Sequence, residues 1–128
     1  MRKTMPVSEY MSRLPQEIDR RERLTTAIRM METHAVRHLP VMDGSHLVGV
    51  LSRQDVQNAF QRHGASAEAV AVGDVCTREP LTLSPSTAMS EAARRMLERA
   101  VTSALVVDGG VLVGIFTSVD ALRVLADL

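Results

Sequence analysis

The apolar residues of this chain alternate between two spacings, and the alternation happens twice. From Arg23 to about Ala35, the residues Leu24, Ala27, Ile28 and Met31 fall on one face of a helix. From Ala88 to Ala100, Met89, Ala92, Ala93, Met96 and Leu97 do the same. Each helical stretch is followed by two apolar runs joined by a tight turn. The first pair is Leu39 to Met42, Asp43-Gly44, then Leu47 to Leu51; the second is Ala104 to Val107, Asp108-Gly109-Gly110, then Val111 to Phe116. Asp-Gly between apolar runs predicts a hairpin. Helices from Arg53 to about His63 and from Ser118 to about Leu128 close the two patterns. Ahead of them, Gln16-Glu17-Ile18 and Leu81-Thr82-Leu83 predict short strands after Pro15 and Pro80, because proline disfavours helical geometry in the residue before it. Pro6 to Met11 and Val72 to Cys76 predict short helical turns, and residues 1 to 6 read as a polar lead-in. Thr87 is the expected N-cap of the second long helix. Glu22 holds that place in the first, where a carboxylate suits the helix dipole but caps less well.

The two patterns are one unit duplicated. Leu47-Val48-Gly49-Val50-Leu51-Ser52-Arg53-Gln54-Asp55 returns as Leu112-Val113-Gly114-Ile115-Phe116-Thr117-Ser118-Val119-Asp120, at an offset of 65 residues. Extended without a gap, the offset also pairs Val7 with Val72, Arg13 with Arg78, Pro15 with Pro80, Ala27 with Ala92, Arg29 with Arg94 and Met31 with Met96. It further pairs Ala35-Val36 with Ala100-Val101, Val41 with Val106 and Asp43-Gly44 with Asp108-Gly109. The count is 15 identities in 57 aligned pairs, where unrelated sequence gives roughly 4. The expected organisation is a first repeat over residues 7–63, a small and polar flexible linker over 64–71, and a second repeat over 72–128. Each repeat has the order β-α-β-β-α, which places the chain in the α/β (α+β) class. Halves of this size are marginal alone, so a shared core is expected.

Each copy of the repeated stretch carries the same chemistry. A β-branched apolar strand ends in a hydroxyl residue, Ser52 or Thr117, which is a natural N-cap for the helix that follows. An aspartate, Asp55 or Asp120, stands three residues into that helix and points back to its opening. Hydroxyl, free helix-start amides and carboxylate together suit a phosphate and a ribose. Each of these residues also has a purely structural role, as a cap or a dipole-stabilising charge.

The pattern G-h-h-[ST]-x-x-D, repeated after an h-x-V-x-D-G turn, resembles the cystathionine-β-synthase (CBS) domain, and two in tandem resemble the pair called a Bateman module. The resemblance covers residues 7 to 128. It implies two sheets packed about a pseudo-two-fold axis and a regulatory module rather than an enzyme. It also implies an adenosine-type ligand (AMP, ADP, ATP, NAD or S-adenosylmethionine) in the cleft between the repeats, a homodimer, and a signal read by a separate protein partner as the halves shift. In nucleotide-binding members of the family the aspartate matched by Asp55 and Asp120 accepts from the ribose hydroxyls, and Ser52 and Thr117 match phosphate or ribose contacts. Basic residues at the place of Arg37 and His38 reach phosphates there; the second copy has Thr102 and Ser103 instead, so the two sites should bind unequally. Arg53, replaced by Ser118 in the second copy, is a further candidate cation. The second copy also departs from the pattern in carrying Leu105 where the first has Pro40. The homodimer interface would use the apolar faces of Val7 to Met11, the helix from Arg23 and the closing helices, and the departures support the alternative of a dimerising scaffold with vestigial ligand sites.

Other signals point to less. His34 and His38 have a spacing that clamps metal on a helix, but the helix should end near Val36 and no third ligand is evident, so no metal is expected. Cys76 matches Met11 in the other copy and reads as a packed core residue. No phosphate loop, dinucleotide fingerprint, nucleophile elbow or helical His-Glu motif nominates a catalytic residue, and no cofactor is required. Composition adds exclusions. Formal net charge is zero, which gives no general attraction to nucleic acid or to an anionic membrane. The aromatics are Tyr10, Phe60 and Phe116, too few for a base-stacking surface. One cysteine excludes an internal disulfide and fits a reducing cytoplasm. No apolar run approaches the ~18 residues of a membrane span, and the opening MRKTMPVSEYM lacks the apolar block of a signal peptide.

Overall fold

A computed structural model of the chain describes residues 5–13 and 15–128; most of the polar lead-in, residues 1–4, lies outside them. In chain order a 3-10 turn, Val7–Glu9, leads to β1 (Ser12–Arg13), β2 (Ile18–Asp19), α1 (Leu24–His34), β3 (His38–Asp43), β4 (His46–Ser52) and α2 (Arg53–His63). A 3-10 segment, Gly64–Ala69, and a further 3-10 turn, Val72–Asp74, precede β5 (Thr77–Arg78), β6 (Thr82–Leu83), α3 (Met89–Arg99), β7 (Ser103–Asp108), β8 (Val111–Thr117) and α4 (Ser118–Ala126). Every helix and strand expected from the periodicity is present. Boundaries move by one to three residues, and the hairpin strands run one residue longer at each end in the first copy.

The chain divides into two compact units, Gln16–Pro80 and a second made of Met1–Pro15 with Leu81–Leu128. In the first, the sheet order is β2-β3-β4-β5, with β2 parallel to β3 and the remaining pairs antiparallel. In the second, β6 runs parallel to β7, β7 antiparallel to β8, and β1 antiparallel to β8. Each unit therefore closes its sheet with a two-residue strand from the segment that opens the other repeat in sequence. Those strands, β1 and β5, have no periodicity to reveal them.

Gly49 and Gly114 make this pairing possible. They face Arg78 and Arg13 across the sheets. A Cβ at Gly49 would overlap the Thr77 carbonyl oxygen, and one at Gly114 would overlap the Met11 thioether. Gly109 and Gly110 both have positive φ, 57° and 83°, the geometry of a two-residue hairpin turn that twists with its strands.

Helix ends differ from the sequence expectation for a physical reason. The N-caps are Arg23 and Ala88, without side-chain caps, instead of Glu22 and Thr87. The first amides are satisfied by backbone: Leu24 N donates to Val70 O at 3.0 Å and Met89 N to Met5 O at 2.8 Å. The Thr87 hydroxyl is spent elsewhere, in a hydrogen bond with Ser84 Oγ at 3.1 Å. At the other end the repeated Ala-Val pair is a C-cap. Ala35 and Ala100 adopt left-handed geometry, and Val36 N and Val101 N each bond back to Met31 O and Met96 O at 3.0 Å, closing a Schellman motif.

Each unit has its own core. Leu24, Ala27, Met31, Leu39, Val41 and Leu51 anchor one, together with Val72 and Cys76; Phe116, Leu83, Ala92, Met96, Val106 and Val7 anchor the other. Cys76 thus packs as expected, and burial pushes its thiol pKa up. The stretch 64–69, expected as a flexible connector, is a 3-10 segment whose Ala67 is fully buried among α1 and α2 residues of the first core. On the hairpin, Arg21 bonds Asp43 at 2.9 Å and holds that carboxyl below its ordinary range. Arg20 Nε lies 3.1 Å from the other oxygen without hydrogen-bond geometry.

Candidate functional site

The hydroxyl and aspartate of each copy form a reciprocal capping box. In the unit Gln16–Pro80, Asp55 N donates to Ser52 Oγ at 3.0 Å and Ser52 N donates to Asp55 Oδ2 at 2.9 Å. In the other, Asp120 N donates to Thr117 Oγ1 at 3.4 Å and Thr117 N to Asp120 Oδ2 at 2.9 Å. The strand delivers the cap, the cap starts the helix, and the helix returns the carboxylate to the strand end. The carboxylate is thereby fixed in orientation with one oxygen, Oδ1, turned away from the backbone. Sequence gives this box directly, since a Ser or Thr followed three residues later by an acid is its signature.

At the start of α2 the backbone positions of the first-copy candidates lie together. His38 pairs with Ser52 across the hairpin, and Arg53 N donates to Arg37 O at 2.9 Å. Arg37 is exposed, His38 and Arg53 half-buried. Thr77 on β5 adds a hydroxyl that sequence reading missed, 3.3 Å from both oxygens of Asp55. The only hint of it was Ser12 at the matched position. The second copy reproduces the frame with different groups. Ser103 pairs with Thr117, Ser118 N donates to Thr102 O at 3.0 Å, Ser103 is buried and Thr102 exposed. Two cations and a histidine on one frame are matched by three hydroxyls on the other.

Asp120 is the more enclosed acid, 6% exposed. Its Oδ1 is approached by Arg123 Nη1 at 3.4 Å from a guanidinium that is 73% exposed, so the contact is long and weakly held. Beside it opens a cleft of about 940 Å³ within this unit, walled by α4 (Asp120, Arg123, Val124, Asp127, Leu128) and by Met5, Glu9 and Tyr10 of the N-terminal turn. Among these, only Asp120 was a sequence candidate. Arg123 could have been flagged as the residue one turn after the aspartate; Met5, Glu9 and Tyr10 lie more than a hundred residues away in sequence, and only the fold brings them there. Chemically the cleft offers a fixed carboxylate, an aromatic ring and aliphatic walls, with charge at its rim.

Among the described residues no three His, Cys, Asp or Glu side chains gather to hold a metal. His34 ends α1 and His38 begins β3, with the left-handed Ala35 between them, so they do not share a helix face. No helix among the described residues is long and apolar enough to cross a membrane.

Twofold repetition of a short parallel strand, helix, hairpin and capped helix defines a tandem α+β module of CBS type. The CBS domain profile matches residues 7–62 and again 72–127; the chain belongs to the CBS domain family. The inosine-5'-monophosphate dehydrogenase of Korarchaeum cryptofilum is 34% identical over 95 residues, which make up 73% of this chain but 19% of that enzyme. Among solved structures, CBSX2 in complex with AMP is 29% identical, covers 95% of this chain and 96% of its own, and has a TM-score of 0.78. The CBS domain pair of protein MJ0100, in complex with 5-methylthioadenosine and S-adenosyl-L-methionine, has a TM-score of 0.88 at 23% identity, with 97% and 98% of the two chains covered. That likeness is one of fold.

Proposed function

We propose that this chain is a regulatory module that binds an adenosine-type ligand, with the ribose hydroxyls donating to the aspartate of one or both capping boxes. The observation that carries this reading is the cleft beside Asp120. Its volume lies in the range of small-molecule sites, and it places an enclosed, orientation-locked carboxylate next to an aromatic and aliphatic wall. Two vicinal hydroxyls suit one carboxylate, and a purine suits such a wall. Relationship to CBSX2, solved with AMP at 29% identity over nearly the full length, supports the same ligand class. Ser52 and Thr117, Arg37, His38 and Arg53, and Thr102 and Ser103 are the accompanying contacts in this proposal.

Regulation requires the ligand to bind one state of the module better than another, and a protein partner in the cytoplasm to read the difference. The segment aligned to the archaeal dehydrogenase is a fifth of that enzyme, and no catalytic residue is nominated here.

The experiment is calorimetric titration with AMP, ATP, NAD and S-adenosylmethionine, with a guanosine nucleotide as control. Binding of an adenosine compound that weakens on Asp55→Ala or Asp120→Ala is the expected outcome. The loss should be about 1.5–3 kcal/mol, the worth of a charge-assisted hydrogen-bonded contact. Unchanged affinity in both single variants and the double variant overturns the ribose assignment.

A second reading, a homodimerising scaffold, is favoured by one observation. Leu122 and Leu125, each 63% exposed, and Val119 form an apolar stripe on α4. Of the other surfaces expected at an interface, Val7 and Leu24, Ala27 and Met31 of α1 are buried inside their own units. Binding and dimerisation are compatible, and we propose both.

A further inference from the structure

We propose that the Asp120 cleft selects an adenosyl compound whose 5′ substituent lacks phosphate and is uncharged or cationic, and that phosphate-bearing nucleotides fall to the Asp55 frame. This rests on the reading that the chain binds adenosine-type ligands.

The duplication supplies an internal control for charge. Around the cleft stand three carboxylates, Glu9, Asp120 and Asp127, and one guanidinium, Arg123. Arg123 offsets one of the three, so the lining keeps an excess of negative charge. At the 65-residue offset Asp127 corresponds to Arg62 and Arg123 to Asn58. The Asp55 frame adds Arg37, His38 and Arg53 where the Asp120 frame has Thr102, Ser103 and Ser118. Glu9 corresponds to Asp74, an acid in both copies, so the two sites differ in the cations Arg37, Arg53 and Arg62 of the first copy against Thr102, Ser118 and Asp127 of the second.

The cleft beside Asp120 runs along α4 to its C-terminal end at Asp127, so a ligand held there lies among these charges. That end carries the negative pole of the helix in addition to the Asp127 charge. A phosphate placed there meets like charge, which the weakly held Arg123 offsets only in part. A sulfonium with its ammonium, or an uncharged thioether, meets no such opposition. On the Asp55 frame the balance is reversed, because Arg37 and Arg53 offer donors suited to phosphate oxygens.

The test is calorimetry in an Asp55→Asn background, which leaves the Asp120 cleft as the site read, with S-adenosylmethionine, 5′-methylthioadenosine, AMP and ATP at low and high salt. The expected order is S-adenosylmethionine and the thioether ahead of AMP, and AMP ahead of ATP, with the gap narrowing as salt rises. Asp127→Arg imports the charge of the matched Arg62 at an exposed helix end outside both cores. It should improve AMP binding relative to S-adenosylmethionine by about fivefold, the screened Coulomb effect of reversing one charge several ångströms from a phosphate. Preference for AMP or ATP in the Asp55→Asn protein, or an unchanged ratio in Asp127→Arg, overturns the inference while leaving the adenosine reading intact. Absence of binding by all four compounds to the unsubstituted chain overturns the adenosine reading itself, and this inference with it.

Discussion

Gly49 and Gly114 occupy the same place in the two repeats, yet substitution should not affect them equally. The space a Cβ needs at Gly49 is held by the Thr77 carbonyl of β5, which is backbone and cannot turn aside. At Gly114 it is held by the Met11 side chain, whose unbranched thioether adapts. Gly49→Ala should cost about 2–3 kcal/mol and Gly114→Ala about 1 or less, as overpacking against rigid and soft neighbours; urea denaturation of the two variants checks the order. The opposite sign is expected at Ala100. It is exposed and left-handed, at φ 54°, a geometry that costs an L-residue roughly 1–2 kcal/mol and glycine almost nothing. Ala100→Gly should therefore raise stability by about 0.5–1 kcal/mol after the entropy that glycine adds to the unfolded chain. A fall in the denaturation midpoint would refute the cap assignment. Sequence made the capping boxes legible, because a hydroxyl residue and an acid three positions on are local. It could not show the Ala-Val pair as a C-cap, since alanine there breaks the usual glycine rule. Nor could it show Thr77 reaching Asp55, because that contact joins residues 22 apart through a strand too short to have a pattern.

At the scale of elements, the four long helices and both hairpins were readable from apolar spacing, while β1 and β5 and the ordered 64–69 segment were not. A two-residue strand has no period, and a small-residue stretch looks the same whether it is loose or, like Ala67, pinned in a core. The closing helices also diverge in a way that spacing alone predicts. On the outer face of α2 stand Gln54 and Gln57; at the matched positions of α4 stand Val119 and Leu122. At the third position Phe60 matches Leu125, but Phe60 packs against its own core whereas Leu125 is exposed, so α4 carries an apolar surface which its own unit does not need. An isologous contact requires only one such patch, since the same stripe serves both partners. Leu122→Glu together with Leu125→Glu should convert a dimer to a monomer in light scattering without loss of helical signal, because neither side chain belongs to the buried core. A chain that is already monomeric, or a dimer untouched by the pair, excludes α4 as the contact.

For the whole molecule, the packing units and the sequence repeats are out of phase. The family pattern places Val7 at the head of the first repeat, but its side chain is fully buried with Phe116, Val106 and Leu83. Val72 heads the second repeat and is fully buried with Leu24, Val41 and Leu51. Backbone bonds follow the same exchange: Val7 N donates to Thr87 O at 2.8 Å, and Val72 N to Glu22 O at 2.7 Å. Each substitution should then act on the repeat it does not belong to in sequence. Truncating a buried valine to alanine removes two methyl groups' worth of burial and leaves a small cavity, about 1.5–3 kcal/mol. Hydrogen exchange resolves where that loss is felt, because protection is lost in cooperative units. Val7→Ala should lower protection across α3, β7 and β8 and spare α1, β3 and β4; Val72→Ala should do the reverse. Loss confined to the repeat that contains each valine in sequence would refute the exchanged packing. Uniform loss in both variants would mean that the two cores unfold as one.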